Sequence, residues 1–314
     1  MIARELDATE RELLVRAAIL APSADEVRPW RFGVDGDTVD VNLDAGGQSD
    51  GHFAGSGSGS GSGRRRVMVG VGAALFNLRV AAAALARGTT TRLLPDPGRP
   101  ELLAQVRVWP GPGTEVCLAG LLLHLYRPRP GRRSYADRPI PPAIRRELER
   151  AAATEGATLS WADDGHRERP WGPAGYGCQD GVLAGSPYQP SYEDHWTRAV
   201  LTTSATSSTA NAGPRDWLVA GQALQRVLLV AARHGLSGSA FGELGGFDEL
   251  GGFGGFGGFG DLGESAGWQG TFGLSHRPCT GGPAHVGLRL GWGPSITRTT
   301  TRPLADFVAD DLCS

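Results

Sequence analysis

Two alanine-rich stretches of this 314-residue chain repeat one pattern, and that repeat constrains the fold more than any other feature. The segments GAALFNLRVAAA (72–83) and GQALQRVLLVAA (221–232) carry Gly, Ala, Leu, Ala and Ala at identical offsets. Similar segments precede them, RELLVRAA (11–18) and RELERAA (146–152). An internal duplication would give two related lobes, each with a helix, strands and a core helix. The alternative is that alanine-rich helices simply look alike.

A segment rich in proline and glycine at 128–131 predicts the boundary between the two lobes. The first lobe then covers 1–127 and the second covers 128–314. Two lobes that were once two subunits would form a ligand site at their junction, where clefts commonly lie.

Apolar periodicity predicts the elements of the first lobe. A helix over 9–20 is followed by strands at 30–34 and 38–43 around an Asp-Gly-Asp turn. Residues 44–63 run into GSGSGSGSG, which predicts a flexible loop, and a helix follows over 71–87. Two further strands are predicted at 103–109 and 116–126.

The second lobe has fewer assignable elements. Helices are predicted from Pro141 through IRRELERAAA and over 215–234, the latter ending at Gly235. A last strand is predicted at 285–291, whereas 165–215 gives no clear element. Residues 242–265 form a Gly/Phe-rich insertion, interpreted as a repeat without fixed structure, with an aromatic lid as the alternative.

All 31 basic residues are arginines, and the absence of lysine excludes a Lys Schiff base and a P-loop Lys. The net charge of −2 provides no broad basic field, so no nucleic-acid partner is expected. The cationic triplet Arg64, Arg65 and Arg66 is interpreted as a solvated loop.

The cysteine pattern predicts a cytoplasmic protein. The four cysteines are far apart without a C-x-x-C motif, which favours free thiols in a reducing compartment. The N-terminal segment lacks the apolar core of a signal peptide. The apolar run from Val67 to Leu85 contains Asn77 and Arg79, which favours a buried core helix over a membrane span.

Two other motifs resemble ligand sites but are incomplete. Gly70 and Gly72 begin an incomplete dinucleotide-binding fingerprint, because Leu75 stands where a Rossmann fold needs Gly or Ala. His276 and Cys279 have metal-like spacing with a later histidine, but no fourth ligand is evident. No metal site is therefore predicted.

The most specific segment is APSADEVRPWRF (21–32). It resembles the A-P-S-x-x-N-x-Q-P-W-x-F signature of nitroreductase-like flavoproteins. Three further segments resemble that family's core helix, R-R-S phosphate segment and C-terminal Arg tail, in the same order. They are GAALFNLRVAAAALARG, Arg132-Arg133-Ser134 with DRPIPP after it, and LRLGWGPSITRTTTRPLADFV. The two-lobed length is similar to the actinobacterial Acg-like branch. This resemblance implies an α+β nitroreductase-like fold, with two related lobes in one chain forming a pseudo-dimer.

The resemblance implies an FMN-dependent oxidoreductase, in which NAD(P)H passes hydride through FMN to a small acceptor. The second lobe lacks a copy of the signature, so one composite site is expected, in a monomer or a weak homodimer. No catalytic side chain is implied. The implied cofactor-binding residues are Pro22, Ser23, Asp25, Glu26 and Arg28 from the first lobe, and Arg132, Arg133, Ser134, Ser239 and Arg302 from the second.

Two departures from the signature leave the chemistry open. Glu26 replaces the family's Asn, and Arg28 replaces its Gln. A cation at Arg28 would favour reduced flavin, and Glu26 would do the reverse unless the two side chains pair. The alternatives are a non-catalytic flavin-binding or sequestering protein, and a tailoring dehydrogenase of a peptide or other natural product. Related dehydrogenases use a Lys-Tyr pair, which a chain without lysine cannot supply.

Overall fold

The computed structural model describes residues 5–22, 28–44, 60–126, 136, 138–161, 197–203, 213–241, 284–293 and 307. Within these ranges the chain forms five α-helices and eight strands, which pair in two antiparallel sheets. The α+β prediction is therefore confirmed. The predicted lobe boundary at 127/128 and the insertion at 242–265 fall outside the described residues.

The two halves of the chain have the same order of elements: a helix, two strands, a long helix and two strands. The first half contains α1 (Ala8–Ala18), β1 (Trp30–Asp35), β2 (Thr38–Leu43), α2 (Ser60–Ala84), β3 (Arg87–Leu93) and β4 (Leu102–Pro110). It continues into a 3-10 segment (Val116–Leu121) and the short α3 (Leu122–Leu125). The second half contains α4 (Pro142–Thr154), β5 (Ala157–Trp161), β6 (Thr197–Thr203), α5 (Pro214–Arg233), β7 (Ser237–Phe241) and β8 (Ala284–Gly291).

Each half forms its own sheet, and the two sheets have the same strand order. The orders are β1-β2-β4-β3 and β5-β6-β8-β7. The pairing of the second strand with the fourth shifts register at one point in both sheets. The shift lies between Val41 and Asn42 in the first sheet and between Leu201 and Thr202 in the second. The halves therefore share a local irregularity as well as a topology.

The long helices α2 and α5 lie at the centre of the molecule. The helix α2 packs on α1, on strands of the first sheet and on α5, whereas α5 packs on α4, on the second sheet and on α2. The stretch Arg64–Ala84 is long and apolar enough to cross a membrane, but 89% of its most apolar window is buried inside the structure. A helix that is apolar on every face is typical of a protein core, and α2 is the core helix that the sequence predicts.

The two core helices cross at a pair of glycines. A Cβ atom added to Gly72 would lie 2.2 Å from the Leu218 carbonyl oxygen and 2.9 Å from the Gly221 Cα. A Cβ atom added to Gly221 would lie 2.0 Å from the Val69 carbonyl oxygen. Only glycine at both positions allows the two backbones to approach this closely.

A buried amide pair lies further along the same crossing. Gln225 of α5 donates to the Asn77 side-chain oxygen of α2 at 2.6 Å. The Asn77 amide nitrogen in turn donates to the Ala17 carbonyl oxygen at the end of α1, at 3.0 Å. These bonds satisfy polar groups that would otherwise be costly to bury.

A cluster of charged side chains also bridges the halves. Arg79 of α2 donates to Glu155 (2.7 Å) and to Gln222 of α5 (2.8 Å), and it contacts Glu115. Arg226 of α5 donates to the same Glu155 at 2.6 Å. Burial alone would lower the pKa of Arg79, but the hydrogen bonds that it donates to Glu115 and Glu155, together with their negative charges, outweigh burial and raise that pKa above its usual value. Two cations and two carboxylates neutralise one another here, which allows their burial.

Several predicted elements are corrected by the structure. The loop predicted over 44–63 is wrong at its end, because α2 begins at Ser60, and the arginine triplet at 64–66 is helical rather than a loop. Residues 116–126, predicted as a strand, form the 3-10 segment and α3. Gly70 and Gly72 lie inside α2, so they do not form the strand-to-helix turn of a dinucleotide fingerprint. Strands β3, β5, β6 and β7 were not predicted.

Candidate functional site

Two residues of the signature segment, Pro22 in the connector between α1 and β1 and Trp30 at the start of β1, lie against α2. A Cβ atom added to Gly70 of α2 would lie 3.0 Å from the Trp30 ring and 3.5 Å from the Pro22 carbonyl oxygen. Trp30, the first residue of β1, is only 1% exposed. The missing side chain at Gly70 thus provides the space in which Trp30 and Pro22 approach the core helix.

The C-terminal tail reaches this connector. Phe307 lies 14 residues after Gly293, the last described residue behind β8, and its side chain is 1% exposed. The Arg28 guanidinium carbon lies 5.9 Å from the centroid of the Phe307 ring, within cation–π range. A residue from the tail of the second half therefore contacts the signature segment of the first half.

A second set of contacts holds the chain just after the predicted phosphate segment. The Ala136 backbone nitrogen donates to the Trp292 carbonyl oxygen at 2.6 Å, directly behind β8. The Arg138 guanidinium carbon lies 3.9 Å from the centroid of the Trp292 ring, and the Trp292 indole nitrogen donates to the Pro139 carbonyl oxygen. Ala136, Arg138 and Pro139 are therefore held at the end of the second sheet.

The structure describes three of the ten predicted cofactor-binding residues. Pro22 and Arg28 belong to the connector, and Phe307 joins them there. Ser239 lies in the middle of β7, where its backbone is paired with Arg289 of β8. The remaining seven, Ser23, Asp25, Glu26, Arg132, Arg133, Ser134 and Arg302, fall outside the described residues.

The described part of the site is rich in hydrogen-bond donors. The Trp30 indole nitrogen is buried, and it has no hydrogen-bond partner in the part of the chain that the structure describes. Arg28 adds a permanent positive charge close by along the chain. Such an arrangement suits a ligand that presents acceptor atoms and negative charge.

Two residues of this site were not among the predicted contacts. Trp30 belongs to the signature but is not among the predicted contacts. It is buried at the start of β1 and lies next to Gly70. Phe307 was not predicted because nothing in the tail sequence shows which half its ring will contact. The sequence signal that could have identified Phe307 is the presence of an aromatic residue shortly after Arg302.

Comparison with known protein families and with curated proteins finds no match to this chain. Its function is therefore inferred from its own residues and architecture.

Proposed function

We propose that this chain is an FMN-dependent oxidoreductase with a nitroreductase-like fold, in which the two halves form a pseudo-dimer. The contact between Arg28 and Phe307 is the observation that supports this proposal most strongly. A cofactor site shared between two halves requires parts of both halves at one place, and this contact joins the signature connector to the opposite tail.

The architecture supports the pseudo-dimer. Both halves have the same element order, the same strand order and a register shift at the same step of the sheet. Their core helices cross at Gly72 and Gly221, which occupy the first position of the sequence repeat. If the two alanine-rich helices resembled each other only by chance, the two halves would not be expected to share all of these features.

The described residues fit FMN in chemical terms. The Trp30 N–H, which has no partner among the described residues, can donate only, and Arg28 is a cation. An isoalloxazine edge offers carbonyl oxygens and ring nitrogens as acceptors. The arginine-rich segments at 132–133 and 302 would supply bidentate donors to the phosphate dianion. The Ala136–Trp292 bond holds the chain two residues after Ser134, which would limit the motion of that segment. When bound, FMN would supply hydride transfer between NAD(P)H and a small acceptor.

Arg28 would set the electrostatics of the site. Packing of its guanidinium on the buried Phe307 ring restricts the side chain, so its charge is preorganised rather than mobile. A fixed cation stabilises the anionic, reduced form of a flavin and thus raises its reduction potential. The protein's contribution is position and charge, and no side-chain acid or base is required. We assign this reaction to the cytoplasm, in keeping with the free thiol of Cys117.

The test is an FMN titration followed by visible absorption and flavin fluorescence. The wild-type chain should bind FMN, and Phe307→Ala should weaken its affinity about tenfold, because the tail would lose its anchor on the connector. Leu123→Ala is the matched control, since Leu123 is 75% exposed on α3 and should not affect binding.

Arg28→Gln restores the family's amide and provides a second readout. It should retain FMN but lower the potential of the bound flavin, because a cation is lost. Failure of the wild-type chain to bind FMN would overturn the proposal. Equal affinities of Phe307→Ala and Leu123→Ala would remove its main support.

A non-catalytic, flavin-sequestering protein is the second candidate, and the burial of Phe307 favours it. A buried ring packed on Arg28 would leave less room for a nicotinamide beside a bound flavin. Oxidation of NAD(P)H separates the two candidates. An enzyme turns over as purified, whereas a sequestering protein binds FMN without turnover and gains activity only when Phe307→Ala opens the site.

A further inference from the structure

The N-terminal part of α2 contains a basic segment that the proposed cofactor site does not use. Arg64, Arg65 and Arg66, called here the basic arm, lie in the second turn of α2. Arg64 is exposed, whereas Arg65 and Arg66 are half-buried. These arginines therefore lie on the core helix, two of them half-buried, and do not form the solvated loop that the sequence predicts.

The basic arm lies between α5 and the signature connector. The Arg65 guanidinium carbon lies 5.5 Å from the centroid of the Trp217 ring of α5. Arg66 is one helical turn before Gly70 and on the same face, and Gly70 is the residue that meets Trp30 and Pro22. The arm is therefore close to both halves of the molecule.

Arg64 and Arg66 of the arm differ in their surroundings from the arginines that are buried near the core. Arg79, Arg87 and Arg226 each form an ion pair with a glutamate at 2.6–2.8 Å. For Arg64 and Arg66 the described residues provide no such carboxylate. The first turn of α2 also contains no acidic residue.

Buried donors without acceptors accompany these charges. Arg66 Nε and Trp217 Nε1 are both buried, and neither has a hydrogen-bond partner among the described residues. Native proteins seldom leave such groups unsatisfied unless a ligand or an ion completes them. Both are N–H groups that can only donate, so a partner for them must be an acceptor.

We propose that the basic arm, together with Trp217, binds a phosphate group of a nucleotide ligand. Guanidinium groups match the fork of phosphate oxygens, and an acceptor-only dianion satisfies donors that a neutral or cationic ligand would leave unpaired. The site is distinct from the phosphate segment at 132–134. Only the choice of ligand rests on the proposed function: the phosphate belongs either to the dinucleotide that donates hydride or to FMN.

The experiment measures binding of pyrophosphate to the full chain by calorimetry at low ionic strength. Arg64→Gln/Arg66→Gln should weaken binding at least tenfold, and Trp217→Phe, which keeps an aromatic ring but removes the N–H, should weaken it severalfold. Arg92→Gln/Arg107→Gln is the matched control, because it removes the same charge from two exposed positions of the first sheet. Equal thermal melting of the variants checks that each one folds.

Two nucleotide probes then identify the source of the phosphate. A loss of affinity for adenosine 2′,5′-bisphosphate alone assigns the arm to a phosphorylated dinucleotide such as NADPH, and a loss for FMN alone assigns it to the flavin. If the wild-type chain does not bind FMN but the arm variant loses pyrophosphate binding, the phosphate site is supported and the proposed function is refuted. The inference is overturned if wild type does not bind pyrophosphate, or if the arm and control variants bind it equally.

Discussion

Replacing Gly72 with alanine should force the two core helices apart. The added Cβ atom would lie 2.2 Å from the Leu218 carbonyl oxygen and 2.9 Å from the Gly221 Cα, and both obstacles are backbone atoms that no rotamer change can move. Normal contact requires the helices to separate by about 1 Å. An exposed helical glycine shows the opposite effect, since alanine there stabilises a helix by about 1 kcal/mol.

The cost can be estimated from what that separation disrupts. Overpacking of a tight interface costs about 1–3 kcal/mol. The same movement stretches the Gln225–Asn77 bond of 2.6 Å and the Arg79–Gln222 bond of 2.8 Å, each worth about 1 kcal/mol. After the gain in helix propensity, Gly72→Ala should lower the free energy of unfolding by about 2–4 kcal/mol.

Urea unfolding followed by circular dichroism measures this change. The control is Gly120→Ala, because a Cβ atom added to Gly120 meets no atom within 4 Å. If Gly72→Ala is as stable as Gly120→Ala, the close crossing of the core helices is refuted, and with it the geometry on which the junction depends.

Two further substitutions test the contacts between the halves. Glu155→Gln leaves Arg79 and Arg226 without a full counter-charge, and the Glu155 side chain is only 6% exposed. The free energy of unfolding should therefore fall by about 3 kcal/mol. Glu12→Gln, which breaks an exposed pair with Arg16, should change it by less than about 0.5 kcal/mol in the same thermal or urea unfolding experiment. Asn77→Leu should cost about 2 kcal/mol, because it removes two buried hydrogen bonds, one to Gln225 and one to the Ala17 carbonyl oxygen; a neutral result would mean that water replaces the lost bonds.

The helices illustrate what local signals can and cannot predict. The end of α5 was predicted well, because Gly235 follows it with φ of +78°, a conformation that favours glycine. The end of α2 was not, because Ala86 adopts φ of +55° and gives no stop signal in the sequence. The predicted helix therefore ran into β3, and that strand was missed.

The predictions for the start of α2 and for the segment after β4 were wrong for other reasons. Glycine and serine are poor helix formers, so the GSGSG repeat before Arg64 indicated a loop, although α2 already begins at Ser60. The run at 116–126 is apolar without alternation, and such a run does not distinguish a strand from a buried helix. Packing against α2 and α5, which a local pattern does not contain, decides that segment.

Only the part of the candidate site that belongs to the first half of the chain was predictable from the sequence. The signature marks the connector that contains Pro22 and Arg28, and the structure brings that connector to the core helix. Which residue of the tail contacts Arg28 depends on how the second half packs, so Phe307 could not be deduced from spacing. The prediction of a loop at 64–66 is wrong for the same reason, since the contact of Arg65 with Trp217 depends on the packing of α2 on α5.

The most direct test of the central claim is the visible absorption spectrum of the purified chain, reconstituted with FMN, desalted and then mixed with NADPH or NADH without oxygen. The proposed function predicts that flavin absorption bands remain with the protein after desalting and bleach when the reduced nicotinamide is added. A colourless protein after desalting would contradict flavin binding at the junction of the two halves. Bands that remain but do not bleach would contradict the oxidoreductase and support the sequestering protein.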